Sequence, residues 1–87
     1  MSLYLVDRDL PGVTVDQFAA AQRAAIAAAD SFTASGTPVR YIRSTFLPAA
    51  ARFLCLFEAA SADLVAAVNQ AAQVPFTRVS EAIELDV

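Results

Sequence analysis

The sequence predicts an α+β domain with elements in the order βαββαβ, and three observations carry that prediction. Two short runs, residues 3–6 and 53–57, are apolar at consecutive positions. Side chains alternate across a strand, so such runs are apolar on both faces and belong in the middle of a covered sheet. Two other stretches, 39–47 and 76–87, alternate apolar with polar residues, as outer strands do. Two alanine-rich segments between them open on helix-start residues and repeat their apolar positions at a helical period.

Residues 2–9, SLYLVDRD, make the first strand, and Pro11-Gly12 turns the chain. Asp7, Arg8 and Asp9 are read as a charge cluster belonging to that turn. The first helix opens on Thr14, with Gln17 completing a capping box and Val13 and Phe18 placed as a hydrophobic staple. Losing the Thr14 oxygen costs ~1 kcal/mol. Val15, Phe18, Ala21, Ala25, Ile26, Ala29 and Phe32 fall on one side, with Asp16, Arg23 and Asp30 on the other. Gly36 ends the helix and Pro38 prevents its continuation.

Strict alternation in the second strand, VRYIRSTFL, puts Arg40 and Arg43 on opposite faces and Tyr41, Arg43 and Thr45 on one. Pro48 and three alanines turn the chain into the third strand, residues 52–60, making a hairpin. Its apolar run is also consistent with buried helix. The upstream Pro48 and the helix-start Ser61 favour a strand. Ser61 and Asp63 begin the second helix, whose buried stripe is Leu64, Val65, Val68, Ala71 and Ala72. After Pro75, residues 76–87 form the last strand, with Val79, Ile83 and Leu85 against Ser80, Ala82, Glu84 and Asp86. Glu81 interrupts its apolar side.

Right-handed crossovers and one hairpin turn this order into a ferredoxin-like fold. Its four-stranded antiparallel sheet carries two helices on one face, with the first and third strands central. All 87 residues, 1–87, make one domain. The face opposite the helices is left with a row of large apolar side chains, which monomers rarely expose. The expectation is a homodimer joined through that open face, as a dimeric α+β barrel.

Charge narrows the function. Nine acids stand against six arginines, with no lysine or histidine, for a formal charge of −3. A nucleic-acid surface needs a basic stripe, and none exists. Without histidine, Ser–His and Cys–His nucleophilic chemistry are excluded. The single cysteine makes no intrachain disulfide. A reduced, cytoplasmic setting is expected. No run approaches the ~18 continuous apolar residues of a membrane span, and no signal peptide is expected. P-loop, GxGxxG and nucleophile-elbow motifs are all absent.

The candidate ligand-binding residues are Tyr41, Arg43, Cys55 and Glu81. An arginine flanked by an aromatic and a hydroxyl suits a carboxylate ligand, although an edge arginine paired with Glu58 or Glu81 is the simpler reading. Cys55 is read first as a small buried hydrophobe, and second as a thiolate activated by Arg43. Glu58 and Glu81 suit acid–base work or a hard metal ion, or are simply solvated.

The segments LYLVDRDLPG (3–12), YIRS (41–44) and CLFEA (55–59) resemble the blocks of a family of small bacterial nickel-binding or nickel-responsive proteins, formerly a domain of unknown function. That resemblance spans nearly the whole chain and implies a ferredoxin-like homodimer and a link to nickel. Imidazole, the natural ligand for Ni(II) among N and O donors, is absent. Cys55 and carboxylates such as Glu58, Glu81 and Glu84 are left as side-chain donors. Two functional readings follow. One is a non-enzymatic homodimer that binds a metal ion or small ligand. The other is a cofactor-free enzyme of the dimeric barrel class, an oxygenase or isomerase. That enzyme needs a roomy interior lined by Tyr41, Arg43, Cys55 or Glu81.

Overall fold

The two doubly apolar strands, β1 (Ser2–Asp9) and β3 (Arg52–Ala59), pair antiparallel along their whole length, with Leu5 opposite Leu56 and Val6 opposite Cys55. β2 (Val39–Leu47) lies outside β3, and β4 (Arg78–Ala82) outside β1, giving the order β2-β3-β1-β4. The computed structural model describes residues 1–85. All neighbouring pairs are antiparallel, as the expected fold requires.

Helix α1 (Val15–Ala34) begins as expected. Thr14 Oγ1 accepts from the Gln17 amide at 3.1 Å, while the Gln17 side chain accepts from the Thr14 amide at 3.0 Å. At its other end Gly36 takes φ +95°. The Gly36 and Thr37 amides close back on Thr33 O and Phe32 O, satisfying the last carbonyls. Helix α2 (Ala62–Ala71) is capped by Ser61, whose hydroxyl accepts from the Leu64 amide. A short 3₁₀ turn, Pro48–Ala50, joins β2 to β3 through the left-handed Ala51.

The core lies between the helices and one sheet face. Val6, Phe53, Cys55, Phe57, Ala59, Val65 and Val68 are all buried there. Phe53 stacks between Phe18 and Phe46, with ring centroids 4.0 and 4.5 Å away. On the opposite face stand Leu3, Leu5, Leu54 and Leu56, and none of the core residues just named shares it.

Several expectations are corrected. Val15 is 60% exposed at the start of α1, and Ala71 is exposed as α2 ends. β4 covers only residues 78–82, so Ile83 and Leu85 lie beyond it, exposed. Asp86 and Val87, assigned from sequence to the last strand, lie outside the described residues. Asp7, Arg8 and Asp9 belong to β1 rather than to the turn.

Arg8 is fully buried on the helix side of β1. Its guanidinium donates to Asn69 Oδ1 in the last turn of α2, and to the carbonyls of Pro75 (3.1 Å) and Val74. Asn69 Nδ2 in turn donates to Val65 O at 2.8 Å. None of these partners is a carboxylate. The charge is met instead by oxygens at the carbonyl end of α2, which carries partial negative charge. Arg8 Nε has no partner among the described residues.

Candidate functional site

The register of β2 decides where the candidate side chains point. Tyr41 stands opposite Phe57 and Arg43 opposite Leu56, so Ile42 is an extra residue, a β-bulge. Alternation is broken there, and a single inserted residue exchanges the faces of everything beyond it. Tyr41 therefore points to the helix side while Arg43 and Thr45 point to the open side. This corrects the expectation that the three share a face. Arg40 and Arg43, expected on opposite faces, stand together on the open one.

The bulge places Ser44 on the helix side with Tyr41 and lets a polar chain form under α1. Gln22 Nε2 donates to the Tyr41 hydroxyl, which lies 2.6 Å from Ser44 Oγ. Ser44 Oγ donates to Cys55 Sγ at 3.0 Å. Cys55 is 1% exposed. Its sulfur is thus a buried acceptor in a satisfied network, with Arg43 on the other side of the sheet. We expect thiol reagents to label Cys55 in the folded protein at least ~100-fold more slowly than in denaturant, because reaction requires access. Equal rates in the two states would show the thiol to be open.

The open face carries its charges around a leucine centre. Arg40 Nε lies 3.1 Å from Glu58 at one end. Asp7 holds Arg52 through three hydrogen bonds of 2.6 to 3.1 Å at the other, with Arg78 at 3.7 Å. The Asp7 carboxylate raises the Arg52 pKa, first by hydrogen bonding and then by charge. A raised arginine contributes this stabilisation at neutral pH and loses it only as pH rises through its already high titration range, so the pair is not a switch near neutrality. Arg43 pairs with Glu84, rather than with the expected Glu58 or Glu81. Arg43 sits on one edge strand and Glu84 follows the other, so this pair reaches across the open face.

Glu81 stands opposite Tyr4 on the helix side of β4, exposed. Tyr41 and Cys55 are thus the only two of the four candidates that one protomer brings together, through Ser44. Arg43 and Glu81 lie on opposite faces at opposite edges. No group of three or more His, Cys, Asp or Glu converges on a common point among the described residues. The sequence reading missed Gln22, Ser44, Arg8 and Asn69. Asn69 carried a signal, because it falls one turn after Val65 on the buried stripe of α2, where an amide must have a partner.

Comparison with protein families matches residues 4–82 to the family described as nickel responsive protein SCO4226-like. Among solved structures the chain is similar to the crystal structure of SCO4226 from Streptomyces coelicolor A3(2). The match has a TM-score of 0.80 and 23% identity, and covers 99% of this chain and 100% of that one. The comparison with curated proteins gave no match. With both helices, all of β2, β3 and β4, all of β1 but Ser2 and Leu3, and the candidate residues Tyr41, Arg43, Cys55 and Glu81 inside the matched span, the chain belongs to the SCO4226-like family of nickel-responsive proteins.

Proposed function

We propose that the protein is a non-enzymatic homodimer joined through the open face of its sheet, and that this dimer is the unit acting in a nickel response. The observation that carries the reading is the leucine cluster on the sheet face that no helix covers, with Leu3, Leu5 and Leu54 half-buried around the already buried Leu56. Its surroundings resemble an interface, with an apolar centre and ion pairs at both ends. Ile83 and Leu85, 81% and 85% exposed, flank the Glu84 that reaches over this face. They extend the apolar surface a second copy would bury.

Light scattering at micromolar concentration should give twice the chain mass. Leu5→Glu places a carboxylate opposite Leu56, where a dimer would bury it unpaired. That variant should be a folded monomer by circular dichroism and scattering. Single-chain mass for the parent protein at that concentration would overturn the reading.

Nickel itself fits the donors of one protomer poorly. The chain has no histidine, Cys55 is buried and occupied by Ser44, and the carboxylates of the described residues are hard donors already paired or dispersed. We therefore expect calorimetry to show weak nickel binding, no more selective than for manganese or magnesium. A stoichiometric submicromolar isotherm, lost in Cys55→Ser or Glu81→Gln, would reverse this.

A further inference from the structure

The Arg43–Glu84 pair lies where a dimer joined through the open face has no room for it. Arg43 belongs to β2, at one edge of the sheet, and Glu84 follows β4 at the other. Arg43 stands in one row with Leu56, Leu5 and Ser80, so a bridge between the two edges passes above the leucine centre. Leu56, opposite Arg43 in that row, is the most buried of the four leucines at 5% exposed.

Stacked sheets lie about 10 Å apart, a gap filled by interdigitating side chains. An ion pair shut inside that gap gives up its water without gaining new partners. In one protomer the bridge is held in water, with the Arg43 and Glu84 side chains 59% and 51% exposed. A second copy seated on the leucines therefore displaces it. Ile83 and Leu85, on either side of Glu84, face solvent in one protomer and gain from any cover.

Among the described residues β2 pairs with β3 alone, so its outer edge is free, and it carries Arg40 and Arg43 on the open face. The segment leaving β4 sets Glu84 between two apolar residues. Basic edge and acidic tail are complementary. A two-fold axis between the sheets, parallel to their strands, sets the β4 edge of each protomer against the β2 edge of its partner.

We propose that residues 83–85 of each protomer dock on the β2 edge of the other, with Glu84 pairing to Arg43 of the partner subunit in place of its own. Ile83 and Leu85 leave solvent in the same step. This docking rests on the dimer reading and adds to it the segment that each copy lends the other. Symmetry makes two such pairs, both at the rim, where they keep contact with water.

The test is sedimentation of two charge-reversed chains, alone and mixed. Arg43→Glu and Glu84→Arg should each weaken self-association at least about tenfold, since both pairs of the dimer then set like charges together. An equimolar mixture should recover the parent affinity, because every contact between unlike chains joins opposite charges. A control mixture of Arg23→Glu with Asp30→Arg, exposed positions on α1, shifts net charge equally and should associate no better than its components. No weakening in the single variants, no recovery in the mixture, or an equal gain in the control would each overturn the docking and leave the dimer standing. Single-chain mass for the parent at micromolar concentration would remove dimer and docking together.

Discussion

Replacing Arg8 by alanine should destabilise the fold by about 3–5 kcal/mol, combining a large buried truncation with stranded acceptors. Folded domains are stable by only about 5–15 kcal/mol in total, so the variant should be near its folding limit. The reason is the position of the guanidinium, fully buried and bonded to Asn69 and to the Val74 and Pro75 carbonyls. Without it, Asn69 Oδ1 and the chain leaving α2 lose their donors in the interior. Arg8→Lys should recover little, because an ammonium cannot span three acceptors as a planar fork does. Arg8→Met should fall between the two, removing the buried charge but leaving Asn69 unsatisfied. Urea unfolding of the three variants gives the order directly. An alanine variant within ~1 kcal/mol of the parent would show that the guanidinium only fills space.

Phe53→Ala is expected to cost a similar ~3–5 kcal/mol, the usual range for a buried phenylalanine. Phe53 is 1% exposed and is the middle ring of three, so its loss breaks two stacked pairs together. Each pair contributes ~0.5–1.5 kcal/mol beyond area burial. A cycle with Phe18→Ala should therefore be strongly non-additive, with the second truncation costing less once the first is made. Additive losses in thermal or urea melts would mean that the stack is geometry without coupling.

How far the fold was legible follows from which signals are local. Thr14 with Gln17, Gly36 before Pro38, and Ser61 mark helix ends through chemistry that neighbouring residues complete, and the structure confirms each. The apolar runs identified the central strands because covering both faces of a strand demands apolar residues at every position. The bulge at Ile42 was not legible, since the segment YIRS alternates acceptably in either register and contains no glycine to announce a break. One residue of slip moved Arg43 away from Tyr41 and brought Ser44 to it. Arg8 was misread for a different reason. Between two aspartates an arginine reads as surface, and arginine is almost never fully buried unless paired. Its partners lie at least 61 positions away in the chain, beyond any local pattern. The candidate site suffered from both effects, so Tyr41 and Cys55 were brought together while Arg43 and Glu81 were not.

The strand order also sets a timetable. β1 is made first, yet its two neighbours, β3 and β4, come much later in the sequence, and Asp7 waits for Arg78. During synthesis the most apolar early segment has no strand beside it, because β2 pairs with β3 and not with β1. Distant pairings of this kind fold slowly, since the loop must close before the contacts form. Until β3 arrives, β1 offers two bare edges to any other nascent copy, which is the usual route to aggregation. The arrangement that shelters these strands in the finished protein thus leaves the growing chain dependent on its later half.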